Sequence, residues 1–262
     1  MAILESRTRT GISWISESIA LFKQAPRKWL LLALVFLGLF VLLPSVPGLE
    51  IFGLITMFIW PAFVAIAIRQ YRNVEFKKTE SLSTTIQLIQ PNIRALVILG
   101  FVNLLYLILV SLLSTDAKEF AVLMNSHTKM NEAELALAAK KAIPSFLMFV
   151  LLLIPMFMMN WFSPMLIAFN NYSLAKAIKS SIAGCLQYIV ALIAAWLLLS
   201  TGMMALIIVA SLIAGLFAAM QPSMAQSLVA ALVFGCVLIS IALTFAFQYV
   251  SYRDVFRGAN SI

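Results

Sequence analysis

Residues 189–216 read IVALIAAWLLLSTGMMALIIVASLIAGL, and no charged side chain interrupts them. The charge-free stretch is longer still, because no Asp, Glu, Lys or Arg occurs between Lys179 and Arg253. A helix needs roughly 20 apolar residues to cross a bilayer, and a charge at the bilayer centre costs about 2.5 to 3.5 kcal/mol on insertion scales. The stretch is long enough for two crossings, which the residues Gln221, Pro222 and Ser223 would separate. It therefore predicts two membrane-spanning helices.

The rest of the chain distributes its charges in the same way. Of all residues, 63% are hydrophobic and only 11% are charged, which is far from the composition of a soluble domain. Further charge-free intervals follow one another along the sequence, and a turn at residues 44–48, PSVPG, divides the first pair of apolar segments. We therefore predict an all-α fold, a polytopic membrane helix bundle that forms one integral membrane domain over residues 1–262. The predicted spans are residues 29–43, 51–68, 95–113, 146–169, 189–216 and 228–250.

The positive charges predict the orientation of the bundle. Most of the 18 Lys and Arg residues precede span one, follow span six, or lie between spans two and three or four and five. The loop at 114–142 balances its lysines with acidic residues and is expected to be external, with one helix over about 131–142. Both termini then face the cytoplasm. Anionic lipid accounts for the net charge of +8, so no nucleic-acid partner is expected.

A shorter amphipathic segment precedes spans one, three and five. The three segments are ISWISESIALFKQAP (12–26), SLSTTIQLIQP (81–91) and SLAKAIKSSIAG (173–184). Apolar residues recur in them at helical spacing, which predicts helices in the membrane plane whose apolar faces meet acyl chains or the bundle. These apolar residues are Ile12, Ile15, Ile19 and Phe22, then Leu82, Ile86 and Ile89, then Leu174, Ile178, Ile182 and Cys185. One such helix and two spans form a unit that occurs three times as parallel repeats, at about 8–72, 79–171 and 172–257.

Proline occurs inside two of the predicted spans. WPAFVAIAI (60–68) and FSPMLIAFN (162–170) place Pro61 and Pro164 at equivalent positions, and Pro155 is a third candidate for a kink. Proline removes a backbone hydrogen bond, and neighbouring helices can satisfy the freed carbonyl. Two interpretations stay open, a shared building block and a hinge.

The spans carry little chemistry. None of them contains an acidic, basic or histidine residue, which ion-driven carriers and intramembrane hydrolases require, so we predict no enzyme, catalytic residue, metal site or cofactor. His127 lies in the external loop and is interpreted as solvated surface. Cys185 and Cys236 are interpreted as small packing residues. Asn103 and Asn160 are buried polar candidates, because an amide inside a span must find partners.

A methionine cluster in span four, IPMFMMNWFSPM (154–165), is compatible with an adaptable apolar groove or with ordinary core packing. The segment LFKQAPRKWL (21–30), followed by the 44–48 turn and the proline-bearing span, resembles the BPSS-type family of hypothetical six-span bacterial inner-membrane proteins. The unit of one helix and one hairpin is more distantly similar to the membrane domain of some glycerophosphodiester phosphodiesterases. The resemblance implies a bacterial inner-membrane location and carries over no functional residue.

These features lead to two functional hypotheses. The first is a non-enzymatic inner-membrane scaffold or accessory factor that binds membrane lipids or another inner-membrane protein. Its expected contacts with lipid headgroups are Lys23, Arg27, Lys28, Lys77, Lys78, Lys176 and Lys179. The alternative is a carrier or translocator of a hydrophobic or lipid-like molecule, which would use a methionine-lined groove around span four.

Overall fold

The computed structural model describes residues 2–113, 132–220 and 222–256, and this part of the chain is helical apart from short turns. Its α-helices are α1 (Ala2–Gln24), α2 (Pro26–Leu37), α3 (Ile51–Glu75), α4 (Leu82–Ile89), α5 (Ile93–Leu113), α6 (Glu132–Asn170), α7 (Leu174–Gln187), α8 (Ile189–Met220) and α9 (Pro222–Val255). Within the described residues, six helical segments are long and apolar enough to cross a membrane. They are Pro26–Ser45, Ile51–Glu75, Leu82–Leu113, Ile143–Asn170, Ile189–Phe217 and Ser227–Val255. The predicted all-α polytopic bundle is confirmed.

Several helices extend beyond the predicted spans. A π-helical turn (Gly38–Leu42) and a 3-10 turn (Leu43–Ser45) continue α2, and α3 runs on to Glu75. The predicted span ends at residue 68, before the charged Arg69, but the helix continues. Tyr71, in the last turns of α3, is buried against its neighbours and stabilises this extension. The helix predicted over about 131–142 is present from Glu132 but does not end at residue 142, since α6 continues through Pro144 to Asn170. Its external location stays a prediction. The remainder of the predicted external loop, with His127, lies outside the described residues.

The tightest packing lies at one end of the bundle. Helices α3, α6 and α9 all end there, as contacts between Glu75 and Arg253 and between Asn170 and Tyr252 show. We call this end the basic end. The fully buried side chains belong largely to the halves of these helices nearest to it, such as Ile68 in α3, Phe162 in α6 and Phe247 in α9. The opposite halves expose large apolar side chains to the surroundings, as the surface of a protein in lipid does.

Two of the shorter helices pack against the last helix of the pair that precedes them in the chain, and the first packs against the final pair. Helix α4 lies on α3, α7 lies on α6, and α1 lies on α8 and α9, which closes the sequence of contacts. The side-chain hydrogen bonds at these contacts are Gln70 Nε2 to Thr85 Oγ1 (2.8 Å), Phe162 N to Ser181 Oγ (3.0 Å) and Trp14 Nε1 to Asp254 Oδ2 (2.9 Å). The order of elements follows the expected one, whereas the relation of the three units as repeats stays a prediction.

The buried faces of the shorter helices only partly follow the predicted apolar stripes. Ile15, Ile89 and Cys185 are buried as members of the stripes. Other members of the stripes are exposed, namely Ile12, Ile19, Leu82 and Ile86. Small or polar residues of the same helices are buried instead, namely Gly11, Ser18, Thr85, Ala177 and Ser181. Lipid is as apolar as leucine, so burying a large apolar residue gains little, and small residues that let backbones approach are favoured at helix contacts.

At Gly100 the backbone of α5 lies directly against that of α3. A Cβ atom at this position would lie 2.7 Å from the Met57 carbonyl oxygen and 2.7 Å from the Phe58 Cα and carbonyl oxygen. Real Cβ atoms do not approach backbone so closely, and here the neighbour is the turn of α3 just before Pro61. The absent side chain at Gly100 therefore lets the two backbones touch.

We predict that Gly100→Ala destabilises the protein by about 1–3 kcal/mol, because the new methyl group forces α5 away from α3. Thermal unfolding of the purified protein in detergent measures the effect. Gly202→Ala is the matched control, since a Cβ atom there meets nothing within 4 Å, and alanine gains up to about 1 kcal/mol in helix propensity. Equal behaviour of the two variants would contradict the close approach at Gly100.

Candidate functional site

Arg253 joins three helices at the basic end. Its guanidinium binds Glu17 of α1 and Glu75 of α3, and it contacts the neighbouring Asp254 at 3.4 Å. Glu75 also accepts a hydrogen bond from the Tyr249 hydroxyl. The carboxylates at this junction are therefore held by an arginine or a tyrosine and tie α1, α3 and α9 together.

The remaining acidic residues at the basic end are paired as well. Arg69 donates two hydrogen bonds to Glu80, at 3.0 and 3.2 Å, and Arg9 donates one to Glu5 at 2.7 Å. Burial tends to raise the pKa of Glu80, but its hydrogen bonds and charge interaction with Arg69, together with the nearby charge of Lys78, outweigh that effect and hold the pKa below its usual value. Glu80 is thus charged at neutral pH and neutralised by its partner.

The seven predicted headgroup contacts behave differently. All of them are exposed, and within the described part of the chain none takes part in an ion pair: Lys23, Arg27, Lys28, Lys77, Lys78, Lys176 and Lys179. They lie at the ends of α1, α2, α3 and α7 that meet at the basic end. Two of them also contact aromatic rings, Lys28 over Trp29 (5.4 Å) and Lys176 over Tyr172 (3.9 Å). The basic end therefore presents positive charge that its acidic residues do not compensate.

The three predicted prolines all lie inside helices, Pro61 in α3 and Pro155 and Pro164 in α6. Each leaves the carbonyl four residues earlier without its usual donor. In α6, side chains of neighbouring helices donate hydrogen bonds to the carbonyl one residue after the one that the proline affects. Tyr106 OH donates to the Leu152 carbonyl (2.7 Å) and Gln248 Nε2 donates to the Trp161 carbonyl (2.8 Å). At Pro61 the backbone of α5 at Gly100 lies against the affected turn instead. Whether the helices bend in use stays a prediction.

A serine from α7 enters the backbone hydrogen-bond ladder of α6. Ser181 Oγ accepts from the Phe162 amide (3.0 Å) and donates to the Met158 carbonyl (2.6 Å), two groups that ordinarily bond to each other. Cys185 Sγ lies 3.7 Å from the same carbonyl. Burial raises the pKa of the Cys185 thiol to about 12, so the thiol stays protonated and unreactive. Cys185 packs as predicted.

Asn103 of α5 and Asn160 of α6 bind each other through both of their amide groups. Asn103 Nδ2 donates to Asn160 Oδ1 (2.7 Å), and Asn160 Nδ2 donates to Asn103 Oδ1 (2.8 Å) and to the Met156 carbonyl (2.8 Å). The reciprocal pair places two amides side by side near the middle of the bundle. We call it the amide pair.

An apolar cavity of about 740 Å³ lies beside the amide pair. Helices α2, α3, α5 and α6 surround it, in the half of the bundle away from the basic end. We call it the outer cavity. Its lining residues are Phe40, Pro44, Glu50, Gly53, Leu54, Thr56, Met57, Trp60, Asn103, Leu153, Met156, Phe157 and Asn160. Both helix pairs that precede α7 therefore contribute to one cavity, which has a carboxylate at one end and two amides at the other.

A second cavity of about 520 Å³ lies between α6, α7 and α8. Trp196 lies in its wall, and the indole Nε1 of this residue is buried without a hydrogen-bond partner among the described residues. The cavity is also lined by Met158, whose carbonyl accepts the hydrogen bond from Ser181, and by Cys185 of α7. Among the described residues no cluster of three or more His, Cys, Asp or Glu side chains is placed to bind a metal ion.

Sequence reasoning singled out Asn103, which is buried, and Asn160, which is half-buried, but not their pairing. It also singled out the three prolines and the exposed lysines, and it missed the junction at Arg253 and the outer cavity. Met156 lines the cavity as the predicted groove requires, whereas Met159 and Met165 are core residues. The junction could have been found from the charges at the ends of the spans. Two carboxylates, Glu17 and Glu75, and one arginine, Arg253, lie at the same predicted end of the bundle. No sequence pattern located the cavity.

We predict that Asn103→Leu or Asn160→Leu alone costs about 1–3 kcal/mol, because the remaining amide keeps buried polar groups without partners. The double variant is expected to cost less than the sum of the two. A double-mutant cycle on thermal unfolding in detergent measures this coupling. Additive effects of the two substitutions would contradict a mutual hydrogen-bonded pair.

No family model matches this chain, and no curated protein or solved structure gives a significant match either. The resemblance to six-span bacterial inner-membrane proteins therefore stays a prediction. Function has to be inferred from the exposed positive charge at the basic end and from the outer cavity.

Proposed function

We propose that this protein is a non-enzymatic, multi-pass protein of the bacterial inner membrane that binds anionic lipid headgroups at its basic end. In this role it serves as a scaffold or accessory factor for membrane lipids or for another inner-membrane protein. Both termini are cytoplasmic under this proposal, because the positive-inside rule places the basic end there.

The observation that carries the proposal is the unequal pairing of charge at the basic end. Its carboxylates, at Glu5, Glu17, Glu75, Glu80 and Asp254, all contact an arginine. The exposed lysines have no such partner among the described residues. Anionic lipid attracts a basic residue near the surface by about 1 kcal/mol each, so several of them together give substantial binding.

The arrangement of the carboxylates also favours binding over catalysis. A catalytic acid or base needs access to a substrate and a proton to exchange. Glu17 and Glu75 instead accept hydrogen bonds from Arg253, and Glu80 accepts two from Arg69, so these carboxylates hold the helix ends in place. The proposed role of the basic end is electrostatic contact rather than a reaction.

The outer cavity favours a second candidate function, a carrier of a hydrophobic or lipid-like molecule. The cavity lies between two helix pairs and includes Met156, as the groove hypothesis requires. Toward the basic end, however, buried side chains such as Phe162, Met165 and Phe247 fill the space between helices. A labelled-lipid translocation assay in reconstituted vesicles separates the candidates. Flux above that of empty vesicles would support the carrier, and equal flux would count against it.

We predict that Lys77→Glu with Lys78→Glu lowers the amount of co-purified anionic phospholipid about twofold or more, since two exposed attractions become repulsions. Mass spectrometry of lipids bound to the purified protein measures the change, and thermal unfolding checks that the helices persist. The control is Lys140→Glu with Lys141→Glu, which changes the net charge equally at the opposite end of α6. Unchanged anionic lipid in the Lys77 and Lys78 variant would refute headgroup binding at the basic end.

A further inference from the structure

We propose that the outer cavity binds one acyl chain of an amine-headed phospholipid, such as phosphatidylethanolamine, from the leaflet opposite the basic end. The ammonium group of the lipid would lie at Glu50 and the chain would extend toward Trp60 and the amide pair. This site differs from the proposed headgroup contacts in its position, its leaflet and the charge that it selects.

The length of the cavity matches one leaflet. Glu50 precedes α3 directly, and Trp60 lies ten residues further along, which corresponds to about 15 Å at 1.5 Å per helical residue. The hydrocarbon core of a bilayer is about 30 Å thick. A chain that enters beside Glu50 and ends beside Trp60 therefore passes through about half of the core, as one acyl chain of a phospholipid does.

The walls between these two ends are apolar. Phe40 and Trp60 meet edge to face with ring centroids 5.3 Å apart, which gives one wall a fixed shape. Met57 and Met156 line other walls with flexible thioether side chains that adapt to a chain. Atoms that line an empty space lose dispersion contacts, and in a bilayer the molecules available to fill a cavity of about 740 Å³ are lipid chains.

Because an acyl chain gains little by moving from lipid to an apolar cavity, selectivity has to come from polar groups. Among the described residues that line the cavity, Glu50 alone is charged. Its Oε1 accepts a hydrogen bond from the Gly48 amide (3.0 Å), and Glu50 takes part in no ion pair within the described residues. This backbone hydrogen bond lowers the pKa of Glu50, so the carboxylate is charged at neutral pH. An ammonium headgroup complements it.

At the inner end of the cavity the two amides already have hydrogen-bond partners and need none from the lipid. Asn103 and Asn160 satisfy each other, and Asn160 also donates to the Met156 carbonyl. Trp60 adds an apolar face. The inner end therefore accepts the terminal methyl of a chain, and the difference between the two ends sets the orientation of the lipid.

The test uses the full-length protein reconstituted in vesicles of equal parts phosphatidylethanolamine and phosphatidylglycerol, then purified for mass spectrometry of bound lipid. We expect Glu50→Gln to reduce bound phosphatidylethanolamine about two- to fivefold, the range for an exposed ion pair, and to leave phosphatidylglycerol unchanged. Glu50→Asp should retain most of it. Glu5→Gln, which removes an exposed carboxylate far from the cavity, is the matched control and should leave bound phosphatidylethanolamine unchanged, while the Arg9 that it releases can only raise bound phosphatidylglycerol.

A second variant, Leu153→Trp, fills the cavity from α6 and is expected to lower bound phosphatidylethanolamine by a similar factor while Glu50 stays intact. If neither Glu50→Gln nor Leu153→Trp changes it, the cavity is not a lipid site. If only Leu153→Trp does, or if phosphatidylcholine vesicles give equal retention, selection of an amine is overturned. The Lys77 and Lys78 variant should lose phosphatidylglycerol alone, which separates this proposal from headgroup binding at the basic end.

Discussion

Inside a bilayer no water is available for a backbone group that lacks a partner, and this constraint accounts for much of the structure. The longest helix, α6, contains three prolines and therefore has carbonyls that its own amides cannot reach. Tyr106 and Gln248 donate to the carbonyls of Leu152 and Trp161, each one residue after a carbonyl that a proline deprives of its donor, and Ser181 enters another turn. Because these donors come from α5, α9 and α7, the defects of α6 fix the positions of its neighbours. Irregular backbone thus becomes the means by which the helices recognise one another.

The same constraint explains why the packing is uneven. Polar contacts and close backbone approach, as at Gly100, can hold helices together in lipid, whereas large apolar side chains have no preference for the interior. The polar contacts concentrate at the basic end, where Arg253 joins α1, α3 and α9. Toward the opposite end fewer such contacts occur among the described residues, and the outer cavity lies in that half. A closed end and a more open end follow from where the polar residues are.

The spans were predictable because a charge inside a bilayer costs free energy. The absence of charge between Lys179 and Arg253 is a direct consequence of that cost. Asn103 and Asn160 were predictable as buried amides, since a polar group in a span must find a partner, although their mutual pairing was not. The stripes of the shorter helices were only half right, because a rule made for water does not say whether Ile12 or Ile19 faces protein or lipid. The cavity depends on how α2, α3, α5 and α6 diverge, which no local pattern encodes.

The two proposed lipid sites use opposite charges at opposite ends of one bundle. At the basic end the carboxylates pair with Arg253, Arg69 and Arg9, and the exposed lysines have no carboxylate partner among the described residues. At the other end Glu50 lies at a cavity whose lining includes no basic residue among those described. A protein so arranged would hold different lipids in the two leaflets. Binding of lipid, rather than its passage, is therefore the function that the distribution of charge and packed volume favours.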